Sequence, residues 1–153
     1  MDDAVTIRSA TEADLDALIA MLANDPLGQT REQTDAGSLA RYRTAFADIA
    51  ADPRNDILVA ERQGAVIGCL QLTFIPGLSY TGGERAQIEA VRVAADARGH
   101  GLGRRLVEHA IAAARARGAV LVQLTSDKSR PDALAFYEQL GFTASHEGFK
   151  LRL

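Results

Sequence analysis

The stretch "ARGHGLGRRL", residues 97–106, carries three glycines at alternate positions, Gly99, Gly101 and Gly103. Arg98 precedes them within the stretch, and Arg104 and Arg105 follow. An apolar helical pattern begins at once: Leu106, Val107, Ala110, Ile111 and Ala114 fall on one helix face, and Gly118 stands where that helix would end. Glycine costs backbone entropy on folding, so three of them at a helix mouth need a reason. A glycine-rich turn before a helix exposes backbone N–H groups and the positive helix end, and neighbouring arginines add charge-assisted contacts. The arrangement points to a phosphate or pyrophosphate site rather than to a turn whose glycines merely relieve crowding.

Outward from this turn, the pattern is that of alternating strands and helices. Before it, "ERAQIEAVRVA" reads as a strand through Ile88, Val91 and Val93. After the helix, "AVLVQLTS" is a near-continuous apolar run, the pattern of a central strand covered on both faces. "RPDALAFYEQLG" reads as a helix with Pro131 near its first position and Gly141 at its end, and "FTASHEGFKLRL" as closing strand pieces. Toward the N-terminus, "AVTIRSAT" is a short strand. Thr11 is an N-cap candidate with Asp14 at the capping-box position, ahead of a helix through Leu15, Leu18, Ile19 and Leu22. "DPLGQTREQTD" reads as a loop, and "AGSLARYRTAFADIAADP" as a second helix stopped by Pro53. "DILVAERQGAVIGCLQLTFI" is a hairpin about a Gln-Gly turn, and "PGLSYTGG" is a break. The order is βααβββαβαβ, a mixed α/β arrangement expected to form one domain over residues 1–153.

Composition narrows the class. The chain has 153 residues, 47% of them hydrophobic, enough for one core. No run of eighteen apolar residues suggests a membrane span, and the acidic start "MDDAVTIRSA" lacks a signal-peptide layout. The lone Cys69 sits in an apolar run and reads as a small core residue. These features lead to the expectation of a cytoplasmic protein without a membrane partner. A net charge of −3 argues against a general nucleic-acid binder. The charge is uneven: residues 1–60 hold eleven acids against five arginines, and the remainder nine acids against twelve bases. The basic part suits an anionic cofactor and the acidic part a cationic substrate, although solvated helix faces account for the asymmetry equally well. The histidines and Cys69 show no metal-ligand spacing, so no metal is expected.

Two familiar phosphate loops fit poorly. No Lys-Ser or Lys-Thr follows the glycines, as a Walker A loop requires. The spacing G-x-G-x-G, placed after about four strands, is not the dinucleotide fingerprint G-x-G-x-x-G of a first strand. "RGHGLG" does match R/Q-x-x-G-x-G/A. Together with "IEAVRV" before it and "ALAFYEQLGF" after it, it makes the whole chain resemble the GNAT superfamily of acyl-CoA-dependent N-acetyltransferases.

The resemblance implies a mostly antiparallel central sheet of about six to seven strands flanked by about four helices. It implies acetyl-CoA as co-substrate, its pyrophosphate cradled by the amides of Gly99, His100, Gly101, Leu102, Gly103 and Arg104, with Arg98 and Arg104 near the phosphates. Val91 and Val93 would offer backbone groups to pantetheine and the acetyl carbonyl, and a backbone N–H there stabilises an oxyanion. Where the family often has Asn seven residues before the tyrosine, this chain has Arg130, which would reach a phosphate or a substrate anion instead. The implied reaction is acetyl transfer to a primary amine of a small molecule or peptide, by direct attack through a tetrahedral intermediate. The acceptor would lie against residues 24–50 and the "PGLSYTGG" loop. Dimers are common in the family, so a homodimer paired through the apolar C-terminal strand is an expectation by analogy.

Such a transfer needs a deprotonated amine, a thioester held in line, and a proton for the departing thiolate; an alkylamine has pKa about 10.4 and no free lone pair when charged. Tyr137 matches the family's general acid, although Ala133, Phe136, Tyr137 and Leu140 also form a helical core stripe. Glu89 is the candidate base, acting through water, or equally a solvated strand carboxylate. Glu84 is the fallback base. His100 reads as a phosphate neighbour, His109 as a surface residue, and His146 has no assigned place. Two other readings stay open: a catalytically silent acyl-CoA-binding sensor, and a nucleotide-binding protein using the same anion site.

Overall fold

The computed structural model describes residues 4–153; Asp2 and Asp3, counted among the acids above, lie outside the described residues. The chain divides into two compact units, one running to Gln123 and one from Leu124 onward.

The first unit begins with β1 (Thr6–Ser9), α1 (Leu15–Ala23) and α2 (Ala36–Ala51). Then come β2 (Asn55–Arg62), β3 (Ala65–Ile75), the single turn α3 (Ser79–Gly82), β4 (Arg85–Val93) and α4 (Leu102–Arg117). Strand β5 (Leu121–Leu124) carries the chain across the boundary. The five strands stand in the order β1-β2-β3-β4-β5, with antiparallel pairing from β1 through β4. The long, apolar β3 takes the centre. The strand "AVLVQLTS" stands instead at the end of the order, short and half-buried, with β4 beside it. Its apolar run therefore does not mark a central position: all four residues are half-buried.

Local chemistry explains the boundaries. Thr11 and Asp14 form the expected capping box: the Thr11 amide donates to Asp14 Oδ2 at 2.7 Å. Arg8 on β1 adds a second tie, its Nη1 2.7 Å from Asp14 and its Nε 2.7 Å from Glu61 on β2. The Arg8 guanidinium holds the Asp14 carboxyl down at about 2, against an ordinary value of 3.8. Asp35 caps α2 by accepting from the Ser38 amide at 3.0 Å. The β2–β3 turn uses Gln63 (φ 52°) and Gly64 (φ 78°), both left-handed, which matches the twist of a tight hairpin.

The core has helices on both faces of the sheet. On one, Leu15, Leu18, Ile19 and Phe46 of α1 and α2 bury Val59 and Cys69. On the other, α4 packs close: a Cβ on Gly68 would sit 3.0 Å from Leu106 Cδ1 and 3.3 Å from Leu102 Cδ2. Cys69 and Gly68 are consecutive in β3, so they necessarily face opposite sides.

The second unit holds α5 (Ala133–Gln139). This helix starts later than its sequence suggests. Asp132, with φ 60°, occupies the N-cap, so Pro131 precedes the helix instead of opening it. The Phe142 amide donates to the Tyr137 carbonyl at 3.1 Å beyond the left-handed Gly141. The sequence suggests closing strand pieces after Gly141, but the described residues form none there. Phe149, Leu151 and Leu153 alternate as a strand would, yet all are largely exposed. Extended backbone gains little without a neighbouring strand to pair with.

Candidate acyl-transfer site

Strand β4 and the turn after it bring most of the sequence-selected residues onto one continuous segment. Glu89 is exposed on β4 opposite Gln71 of β3. Ala90, the next residue, has φ 53°. The register passes from Gln71↔Glu89 to Cys69↔Arg92, so Leu70 alone faces both Ala90 and Val91. This is a β-bulge, which bends the strand and interrupts the ladder. A non-glycine residue in the left-handed region costs about 1–2 kcal/mol, and such strain gathers at functional sites.

Val91, within the bulge, and Val93, beyond it, flank Arg92. Both of their carbonyls accept side-chain bonds: Arg92 Nη1 donates to Val91 at 2.9 Å and Arg98 Nε to Val93 at 3.1 Å. Arg98 thus clasps the end of β4 to the glycine turn.

In the turn, Gly99 (φ 79°) and Gly101 (φ 74°) are both left-handed, and a Cβ on either would meet nothing within 4 Å. The glycines therefore serve conformation and leave the space in front of the helix open. Gly103 lies inside α4, in its first turn. Gly101 is the N-cap and no side chain caps the helix; the helix's internal bonding begins with the Arg105 amide to the Gly101 carbonyl at 3.1 Å. The amides of Leu102, Gly103 and Arg104 precede that bond and point out of the helix. With the positive helix end and the half-exposed Arg104, this donor set fits a pyrophosphate. Arg104 also pairs with Glu108 at 3.0 Å. Arg105 donates to the Val5 carbonyl, just ahead of β1, at 3.0 Å. His100 is exposed in the turn.

Tyr137 and Arg130 belong to the second unit. Tyr137 is half-buried between Phe136 and Phe142, edge-on to both, with ring centroids 5.0 and 5.8 Å away. Arg130 is half-buried in a turn, its amide donating to the Asp127 carbonyl at 3.0 Å.

The fallback base fares worse. Glu84 is ion-paired to Arg117 at 2.6 Å and lies 3.8 Å from Arg54, and the Arg117 guanidinium holds its carboxyl below the usual range. Arg117 also stacks on Phe74, so Glu84 anchors a helix to the sheet. His109 is exposed on α4, and His146 is exposed beside Ser145. Burial pushes the Cys69 thiol up to about 11, which leaves it inert as a nucleophile.

In the region marked for an acceptor, Arg31, Gln33, Ser38, Arg41 and Tyr42 line a shallow cavity of about 300 Å³. Two guanidinium groups face it, and Tyr42 bonds to Glu32. Its charged lining residues are the two arginines, unlike the acidic average of the first sixty residues. The sequence reading passed over Ala90, Asp25 and Arg92. Asp25 carries no local motif, and nothing in "IEAVRV" marks a left-handed alanine.

Residues 20–142 match the Acetyltransferase (GNAT) family. The chain belongs to the GNAT acetyltransferase family. A crystal structure of a transcriptional regulator from Bacillus halodurans C-125 is 51% identical, with a TM-score of 0.95 over 98% of this chain and 100% of that one. An aminoalkylphosphonate N-acetyltransferase from Salmonella typhimurium is 29% identical over 94% of this chain and 88% of its own. A 5-NmdU N-acetyltransferase from Pseudomonas phage PaMx11 is 33% identical over 67% of each. Among the described residues of this GNAT protein, no helix is long and apolar enough to cross a membrane.

Proposed function

We propose that this GNAT protein transfers an acetyl group from acetyl-CoA to the primary amine of a small molecule or peptide. The observation that carries the reading is the pair Gly99 and Gly101, left-handed, unobstructed, and opening a helix no side chain caps. Acetyl-CoA supplies an activated acyl carbonyl and a good leaving thiolate. The protein's part is to bind, orient and move protons. The amides of Gly99 to Arg104 hold the pyrophosphate, with Arg98 and Arg104 nearby. The N–H groups at the bulge, Val91 foremost, stabilise the oxygen that becomes negative as the amine attacks. Glu89 takes the amine's proton through water. The C–S bond then breaks, and Tyr137 gives its proton to the thiolate.

The acceptor lies against residues 24–50 and the "PGLSYTGG" loop. The acidic first part favours a cationic amine, whereas Arg31 and Arg41 in the cavity favour an amine that also bears an anion. The test is a CoA-release assay on a panel of polyamines, aminoalkylphosphonates, amino acids and peptide N-termini. Turnover on one class identifies the acceptor chemistry. A panel without turnover, by a protein that binds acetyl-CoA, supports a second reading: an acyl-CoA-binding regulator. That reading is favoured by the 51% identical relative described as a transcriptional regulator.

A further inference from the structure

Asp25 and Arg92 meet in the interior of the first unit, their side chains only 6% and 13% exposed and Asp25 Oδ2 lying 3.5 Å from Arg92 Nη2. The same Asp25 oxygen accepts from the Gly28 amide at 3.2 Å. Gly28 is packed so closely that a Cβ would lie 1.8 Å from the Leu22 carbonyl oxygen, so the loop after α1 is folded back on the helix end. Arg92 sits between Val91 and Val93, directly after the bulge, and its Nη1 holds the Val91 carbonyl. One guanidinium therefore touches both the bulged strand and the loop that leads into α2.

A buried ion pair is a poor device for stability alone, because desolvation offsets most of its attraction and an apolar pair of similar size often does as well. It is a good device for fixing direction, since a guanidinium demands its acceptors at set angles. We propose that Asp25 and Arg92 are positioning residues: they hold residues 25–33, the near wall of the acceptor region, in register with the acyl-bearing stretch Ala90–Val93. The proposal rests on the acetyltransferase reading. Neither residue touches the reacting atoms; both act through the backbone they orient.

The test compares wild-type protein with the apolar double variant Asp25→Leu/Arg92→Met, which removes both charges together and leaves no lone buried ion. Asp25→Asn, which keeps the Gly28 bond and loses only the charge, serves should the double variant not fold, and Arg92→Lys serves as the conservative rescue. Acetyl-CoA affinity by calorimetry, steady-state kinetics with the best amine of the panel, and amide exchange across residues 25–33 are measured on each. The expected result is acetyl-CoA affinity within about threefold, acceptor KM raised tenfold or more, and kcat changed much less. Exchange in 25–33 should be faster, and Arg92→Lys should recover part of the KM. A folded variant with wild-type acceptor KM and wild-type exchange in 25–33 overturns the proposal. Wild-type protein that neither binds acetyl-CoA nor acetylates any amine would sink the acetyltransferase reading instead. The exchange comparison alone would then decide whether the pair holds the loop: faster exchange supports that role, and unchanged exchange removes it.

Discussion

Two short pieces of left-handed backbone lie within a dozen residues of each other and differ in kind. Gly99 and Gly101 adopt φ near 75° with no Cβ to object, in open space. Ala90 adopts φ 53° despite its Cβ, in the middle of a paired strand. The first piece is relaxed and leaves the space before α4 open. The second is strained and displaces one strand relative to its neighbour. A site that binds one group tightly and reacts at another needs both: an inexpensive fixed cradle, and a costly local distortion where geometry matters most.

Variants should pull these two jobs apart. The largest effect is expected from Gly101→Asp, which adds strain at a left-handed position and places a carboxylate in the anion cradle. Acetyl-CoA affinity should fall by a hundredfold or more, about 3 kcal/mol, as read by calorimetry. Tyr137→Phe should act on rate alone, lowering the chemical step roughly ten- to a thousand-fold with acetyl-CoA affinity nearly unchanged. A large loss of affinity there would contradict the acid role. Single-turnover kinetics alongside the titration make that distinction.

Smaller effects sharpen the contrast. Asp14→Asn lies far along the chain from both pieces and serves as a stability control. The Asp14 carboxyl is depressed to about 2 in the folded protein, so its contribution is fully present above its unfolded pKa near 4. It is lost as the pH falls through about 2. The variant should therefore be less stable than wild type by on the order of 1–2 kcal/mol at pH 7, and the gap should close toward pH 2 in denaturant titrations. Ala90→Gly should do the opposite at neutral pH. It relieves the φ 53° penalty and raises stability by up to about 1 kcal/mol, while the slackened bulge lowers kcat. If the variant gained stability and lost no activity, the strain at Ala90 would be unrelated to the chemistry.

The glycine turn was legible because its signal is local: residue type, spacing and the helix that follows all lie within ten positions. The same holds for the Thr11–Asp14 cap, the Gln-Gly hairpin and the helical stripe of α4. The bulge was not legible, because Ala90 is driven left-handed by the register of its partner strand and not by its own identity. Asp25 and Arg92 are separated by more than sixty positions, so their pairing exists only in the fold. The place of β5 at the end of the sheet order and the unpaired closing segment share that cause. Apolar patterning led instead to a central strand and a closing strand, because it reports burial on a face but not which strand supplies the neighbour. Glu84 likewise finds its partner Arg117 more than thirty positions away, a pairing that exists only in the fold.

The most direct test is one titration, purified protein against acetyl-CoA, ATP and NAD by calorimetry. The expected result is micromolar binding of acetyl-CoA with neither nucleotide competing, since the role proposed for the turn opening α4 is to hold the pyrophosphate of CoA. Protein that ignores acetyl-CoA, or prefers ATP or NAD, would contradict it and leave the glycines as a turn or as the cradle of another phosphate.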